Sequence, residues 1–497
     1  MKKKLTNLEF IILISITIKM LGLVYRIFVT RFLNLEGMRI MSLIMPTLGL
    51  VLCISSLSSQ TVVNQNIAAN LANSKTILKS SFRITFISSS IVSIVLLFSF
   101  PLYQRIYQNS FIYYPLLLCI PLIYLSNTSG IFKGYLEANN NFLSTYLSNL
   151  FENLTKFFLT LILLIIFKDK SVEFLILITF LCLTLSEVSS FLYLLHKVTY
   201  KKKINYLNIK TNSYEKNILK QAIPLTLDQL LINLTNYLEP LVFYYALSLR
   251  GVNLYDSTIY YTKITSYVIP ILIFASFTVY SIAKFAFPKI TKNQNSDKLN
   301  VIISKAFLAC LLISSFNFIV SNIYSEESLL LMYNDVSTSL FLKQLSYCYF
   351  FSYFNPIFII ILQALKKEKQ LFTISLFTSI IYLIALFFLS YYYSFTGFLI
   401  SIIIHHLLKS LLLFLYSKKI AKFQISFFKI AIYLIILICY YFVNFVYPNF
   451  IFLIVSSSIF CLLILYYYRV YNKKWYHYVK NNKEFFYNLN YFLRVIF

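Results

Sequence analysis

Seven polar residues stand where an apolar chain has no ordinary use for them. Lys19 and Arg26 lie inside the first apolar run, with Arg31 at its far end. Asp228, Asn236 and Glu239 lie inside the seventh run and Lys263 inside the eighth. An ionisable side chain within a bilayer is costly and faces a cavity or a partner. Lys19 and Arg26 are seven residues apart and Asp228 and Glu239 eleven, so each pair shares a helix face, with Asn236 near the second. At the helical rise, Lys19 and Asp228 fall roughly 14 Å from one end of their runs. Arg26, Glu239 and Lys263 fall nearer the opposite end. Two layers are expected, Lys/Asp at mid-depth and Arg/Glu/Lys beyond it. One reading is a polar cavity for an anionic headgroup, since three bases outweigh two acids. The other is a set of interhelical salt bridges that only fix packing. Buried pairs stabilise weakly, so packing alone is a poor reason to keep five charges.

Other candidates carry less chemistry. Lys305, Lys409 and Lys429 sit near helix ends, from which they can snorkel to the interface. Lys156 follows Glu152 by one turn, a spacing that lets the two neutralise each other. Glu187 stands alone and has no assigned role. His405 and His406 are adjacent, so they point to different helix faces, and no nearby cysteine or carboxylate completes a metal set. The cysteines Cys53, Cys119, Cys182, Cys310, Cys348, Cys439 and Cys461 are widely spaced inside apolar runs and read as packing residues. No P-loop, GxSxG or HExxH motif is present. No enzyme activity, cofactor or metal is expected.

The elements that must hold these residues are membrane spans. The 497 residues are 59% hydrophobic and 12% charged, with a mean hydropathy of +0.74, against roughly a quarter charged in a soluble domain. The net charge of +27 could suit nucleic acid, but the bases cluster between apolar runs, so no nucleic-acid partner is expected. An excess of 36 lysines over 8 arginines, with abundant Phe, Tyr, Ile and Asn, is a codon signature of an AT-rich, bacterial genome. Fourteen segments can span a bilayer. They are 9–31, 40–64, 82–104, 112–132, 142–167, 172–195, 219–248, 257–284, 301–323, 341–365, 371–391, 395–416, 425–446 and 449–470. The first follows Lys2, Lys3 and Lys4 and lacks a small-residue cleavage site, so it reads as a retained helix. With the N-terminus in the cytoplasm, the inner connections and both tails hold 30 of the 44 basic residues, the outer connections 7 and the helices 7. That asymmetry places both termini inside a cell membrane. The tail 471–497, rich in Tyr and Lys, reads as an interfacial segment.

The longest connection, 196–218, splits the chain after six segments, and an internal repeat supports the split. Met45-Pro46 in segment two matches Ile269-Pro270 in segment eight, and Lys133-Gly134-Tyr135-Leu136 ends segment four as Gln363-Ala364-Leu365 ends segment ten. The expected organisation is an all-α integral membrane protein with two six-helix lobes around a central cavity, 1–218 and 219–418. Two further helices and a basic tail occupy 419–497. Parallel repeats of this kind place a substrate site between the halves. Pro46, Pro121, Pro224, Pro270 and Pro356 interrupt spans, which shapes the helices or lets them bend during alternating access.

The run Lys19-Met20-Leu21-Gly22-Leu23-Val24-Tyr25-Arg26, followed by Thr30-Arg31 and Glu36-Gly37, resembles the opening of the stage V sporulation protein B-like proteins. These form part of the polysaccharide-transporter branch of the multidrug/oligosaccharidyl-lipid/polysaccharide exporter superfamily. The proline-centred second helix and Lys133-Gly134-Tyr135-Leu136 fit the same pattern. The resemblance implies a two-lobed transporter of 12–14 helices that flips an undecaprenyl-diphosphate-linked saccharide from the inner to the outer leaflet. It carries Arg26 and Lys263 over as substrate-binding bases, with Lys19 and Arg31 as weaker candidates. The lipid II flippases of this superfamily have an acidic residue beside the first-helix arginine, where this chain has Ile27. Ser58-Ser59-Gln60-Thr61 replaces their Gly-Pro late in the second helix. Two alternatives stay open: a cation-coupled multidrug exporter with Asp228 and Glu239 on the ion, and a non-transporting scaffold for envelope or spore assembly.

The orientation can be checked directly. In a background without the native cysteines, Asn208→Cys should be shielded from impermeant thiol reagents in intact cells and Glu327→Cys should react. The reverse pattern would invert the topology.

Overall fold

The computed structural model describes residues 7–69, 74–107, 110–201, 212–292, 298–421 and 427–471. Lys2 to Lys4, most of the basic linker, nearly all of the C-terminal tail and the side chain of Asp228 lie outside the described residues. Every regular element among the described residues is helical. The first group comprises α1 (Asn7–Ser56), α2 (Ser59–Ala68), α3 (Ser74–Leu97), α4 (Phe100–Tyr107), α5 (Tyr113–Leu118), α6 (Ile120–Ala138), α7 (Phe142–Ile166) and α8 (Val172–Lys201). The second comprises α9 (Asn212–Ser248), α10 (Leu254–Thr262), α11 (Ile269–Leu272), α12 (Ser276–Lys292), α13 (Lys298–Asn322), α14 (Ser325–Tyr333), α15 (Ser339–Ser352), α16 (Asn355–Ala364), α17 (Glu368–Tyr393) and α18 (Phe395–Ala421). The chain closes with α19 (Phe427–Val446) and α20 (Phe450–Tyr471). Nine of the described helices are long and apolar enough to cross a bilayer, ten with the bent pair Leu254–Leu272 and Ser276–Thr291. The fourteen segments are compatible with that, because Ile14–Ala68 holds two of them and α9, α19 and α20 supply three more.

The first two segments need a correction. Residues 32–39 do not form a loop: α1 runs through them and turns at one residue, Asn34, with φ +53°. Its ψ of −171° lies outside the left-handed helical basin that asparagine favours, close to a region ordinarily kept for glycine, so the turn is strained. The turn reverses the chain, as contacts to α10 and the residues after it show. Glu36 meets Tyr255, Arg39 meets Thr258 and Ser42 meets Thr262, so the second arm runs parallel to α10. Arg26 reaches Thr265. In a straight helix Arg26 would lie about 30 Å from Thr265 along the axis, far beyond a side chain's reach. Gly37 makes the reversal possible, since a Cβ there would fall 2.7 Å from the Leu33 Cβ.

Other spans break as well, though not always at proline. Pro121 and Pro356 each occupy the first turn of a new helix after a break, where a missing N–H is harmless. Pro270 follows the π-helical stretch Lys263–Val268 without a break, inside the run Leu254–Leu272. Pro46 and Pro224 instead lie within continuous helices. Segment two breaks eleven residues after Pro46, at Leu57 and Ser58, both with positive φ. Segment eight bends by 53° between α11 and α12. Polar side chains meet the carbonyls these breaks release: Asn317 Nδ2 and Tyr353 Oη donate to Leu272 O at 3.0 and 2.9 Å, and Cys310 Sγ donates to Tyr353 O at 3.0 Å.

The apolar packing is uneven from one end of the bundle to the other. Around the Asn34 turn, a single buried cluster joins α1, α5 and α8 to α9, α10, α15 and α18. Toward the opposite end it divides. Val63, Ile67, Ile77, Ile131 and Leu194 form one core and Val279, Ile290, Ile303, Ile357 and Ile361 another. In the first core α2 packs on α6, and in the second α12 packs on α16, the pairing expected of a repeat. Helix α9 crosses between them. Its start meets α2 and α3 through Asn66–Gln221 at 2.7 Å and Arg83–Glu215 at 3.2 Å, and its far end packs on α17. Helices α19 and α20 dock on α13 and the residues after it, where Tyr324 Oη reaches Asn444 Oδ1 at 3.2 Å and Asn449 O at 3.1 Å.

Gly134 lets α6 lie against α2, for a Cβ at that position would stand 2.4 Å from Gln60 O. Gly134→Ala should lower thermal stability by about 1–3 kcal/mol. Gly130→Ala, whose Cβ would make ordinary contacts with Ser59 Oγ at 3.6 Å and Gln60 Cβ at 3.9 Å, should melt with the wild type in the same detergent.

Candidate functional site

Arg26 sits on the first arm of α1, and its Nη2 donates to Thr265 O at 3.1 Å. Its Nε is buried and has no partner among the described residues. The acceptor belongs to a π-helical stretch, Lys263–Val268, between α10 and α11, an irregularity common at functional sites. The structure therefore brings Arg26 to the segment that carries Lys263. Lys263 itself is half-buried and makes no ion pair among the described residues. Lys19 lies about two turns away on the same arm and is exposed. Arg31 is not grouped with them, because its Nε donates to Met332 O at 2.9 Å and its Nη2 to Leu331 O, carbonyls of the last turn of α14.

Glu239 lies elsewhere. The hydroxyls of Tyr261 on α10 and Tyr382 on α17 face its carboxylate. Lys263 is two residues beyond Tyr261, about 200° further round the helix, so it points away from Glu239. Asn236, three residues before Glu239, is exposed. Thus α10 and the stretch that follows it carry the contacts of both Arg26 and Glu239, on different sides.

The rungs between α1 and α10 form a ladder at the Asn34 end. Arg39 Nε pairs with Glu36 Oε2 at 3.2 Å, its guanidinium lies 4.9 Å from the centre of the Tyr255 ring, and Tyr255 Oη donates to Glu36. Arg39 Nη1 reaches Thr258 Oγ1 at 3.5 Å, and the hydroxyls of Ser42 and Thr262 meet at 2.9 Å. Sequence reasoning found Glu36 only as part of a motif and missed this ladder. The signal was an acid three residues before a base, directly after the turn.

A second group of charges also differs from expectation. Lys156 does not pair with Glu152, one turn before it. Lys133 on α6 takes Glu152 at 3.8 Å, and Lys156 lies 5.1 Å from the centre of the Tyr25 ring. The aromatic face supplies the contact, while Glu152 and Glu187 act on Lys156 only from beyond contact distance. Glu187, unassigned by sequence, is buried on α8 with an unpartnered Oε1. Glu137 is held by Gln60 at 2.9 Å and Asn64 at 3.3 Å, which fixes α6 to α2. His405 Nδ1 meets Thr378 O at 3.3 Å and His406 Nδ1 meets Ser352 Oγ at 2.9 Å, so both rings are used in packing. Among the described residues no three His, Cys, Asp or Glu side chains group closely enough to hold a metal ion.

The sequence pattern of the polysaccharide biosynthesis protein family matches residues 5–281. Stage V sporulation protein B of Bacillus subtilis (strain 168) is 25% identical over 363 residues, 70% of each chain. The fold is shared with lipid II flippase MurJ in its inward closed conformation, with a TM-score of 0.68 and 18% identity over 93% of this chain and 98% of that one. It is also shared with an inward-facing multidrug resistance MATE family transporter of the MOP superfamily, with a TM-score of 0.63 and 14% identity over 82% and 98%.

Removing one partner of the Lys133–Glu152 pair should reveal how buried it is. Lys133→Met should destabilise the protein by about 1–3 kcal/mol, since the half-buried Glu152 loses its contact base and keeps only the more distant Lys156. Lys133→Met with Glu152→Gln should recover most of the loss in thermal unfolding.

Proposed function

The chain belongs to the polysaccharide biosynthesis protein family, and from that membership we propose that it is a membrane flippase. Its substrate is an undecaprenyl-diphosphate-linked saccharide, moved from the cytoplasmic to the outer leaflet by alternating access for polysaccharide or peptidoglycan synthesis. The observation that carries the proposal is the uneven core, one continuous apolar cluster at the Asn34 end and separate clusters at the other. With the N-terminus in the cytoplasm, the Asn34 end is the outer one. A bundle sealed outside and, apart from α9 against α2 and α3, divided inside suits a carrier waiting for a substrate from the inner leaflet. Residues 1–218 and 219–418 would be the two moving lobes, with α9 leading from one to the other.

Each residue then has a task. Lys19, exposed at mid-depth, makes the first contact with the diphosphate. Arg26 follows nearer the outer end, where its guanidinium can form charge-assisted hydrogen bonds to phosphate oxygens, and Lys263 adds a third positive charge. The ladder of Glu36, Arg39, Ser42, Tyr255, Thr258 and Thr262 is the outer closure, and it must part for the saccharide to leave. Arg31, engaged with α14, strengthens that closure instead of touching substrate.

A second reading has its own support. Glu239, faced by two tyrosine hydroxyls, is a plausible cation site, and the MATE likeness fits an exporter driven by an ion held there and at Asp228. Substitution separates the two. Arg26→Ala should abolish transport in a folded, inserted protein, and Arg26→Lys should recover only part, because lysine keeps the charge but loses the two-pronged geometry. Asp228→Asn should cost less. The readout is accumulation of lipid-linked saccharide on the inner leaflet. Normal transport by Arg26→Ala together with failure of Asp228→Asn would replace the flippase reading with the exporter.

A further inference from the structure

We propose that Pro270 is a positioning residue for Arg26. It acts by withholding a backbone donor from Thr265 O, so that this carbonyl is free to hold the guanidinium. Within Lys263–Val268 the hydrogen bonds step back five residues: the N–H of Ile269 donates to Ile264 O. The next bond in that register would run from residue 270 to Thr265 O. Proline has no N–H to give, so Thr265 O is left without its backbone partner inside the bundle, where a bare carbonyl is costly. Arg26 Nη2 fills that role from α1 at 3.1 Å. The guanidinium is planar and its five N–H groups are rigidly related. Fixing Nη2 therefore fixes the direction of the rest, including the buried and unpartnered Nε.

The remaining N–H groups can then meet a phosphate while Nη2 stays on Thr265 O, so diphosphate binding and the register of the π-helical stretch are coupled. This deepens the flippase reading and rests on it for the ligand, though the hold on Arg26 can be tested without any ligand.

The test compares two replacements that lack the proline ring and differ in the donor, the ester also weakening Ile269 O, which accepts from Ile273 N, and not Thr265 O. Pro270→Leu restores the N–H. Pro270→leucic acid, introduced as the α-hydroxy analogue of leucine, has the same side chain and an ester oxygen in place of the N–H. Full-length protein in lipid nanodiscs is treated with phenylglyoxal, and modification of Arg26 is followed by peptide mass spectrometry. Binding of undecaprenyl diphosphate is measured on the same samples. Pro270→Leu should raise Arg26 modification and weaken binding on the order of tenfold, the scale of one charge-assisted hydrogen bond, and should add little to Arg26→Lys. Pro270→leucic acid should return both readouts to the wild-type values. Identical behaviour of the leucine and leucic acid variants would overturn the proposal, because only the ring would then matter. If Arg26 modification follows the donor but the wild-type chain has no affinity for undecaprenyl diphosphate, the hold of Thr265 on Arg26 stands and the substrate reading falls.

Discussion

A helix that breaks inside a membrane releases carbonyl oxygens that lipid cannot solvate, and the protein must supply their donors. Much of this structure answers that demand. Leu272 O, at the bend of segment eight, receives Asn317 and Tyr353. Thr265 O, in the π-helical stretch, receives Arg26, and at exposed helix ends the last turn of α14 receives Arg31 and the end of α17 receives Arg250 through Tyr392 O at 2.9 Å. In a chain with 36 lysines and 8 arginines, three arginines serve backbone acceptors that a lysine point charge would hold with less directionality. One of the bases proposed to meet a diphosphate, Arg26, belongs to this group of side chains that serve backbone carbonyls.

The spans were legible because a bilayer demands about 20 apolar residues in a row, and no tertiary contact is needed to see that. The repeat was legible in part. Pro46 and Pro270 align in sequence, yet one lies in an α-helix and the other directly follows a π-helical stretch. A proline fixes only its own missing donor, whereas the break depends on what neighbouring helices offer to the freed carbonyl. The turn at Asn34 was hidden for a similar reason. Nothing in Phe32-Leu33-Asn34-Leu35 resembles a loop, and the reversal depends on one positive φ and on the space that Gly37 leaves.

Among the candidate residues, sequence spacing placed Lys19 and Arg26 on one arm and Lys263 on the segment that Arg26 reaches. It could not tell that Lys263 points away from Glu239, because the side facing each neighbour is set by how α10 packs between α1 and α9. It paired Lys156 with Glu152 on helical spacing. The acid had a nearer base across the α6–α7 interface, and Lys156 had an aromatic ring on α1. Local spacing states which partners are possible, and packing chooses among them.

The turn at Asn34 has a consequence for how the chain is made. Two antiparallel arms joined by a single residue leave no connecting segment to rest in the headgroups while the second arm is still being synthesised. The first arm alone carries Lys19 and Arg26 into hydrocarbon, each at a cost of about 2.5–3.5 kcal/mol on translocon scales, and the carbonyl that receives Arg26 lies in the π-helical stretch after α10, more than two hundred residues later. The arms must therefore partition from the insertion machinery together, as one hairpin. They must then wait, still incompletely paired, until the second half of the polypeptide arrives to receive them.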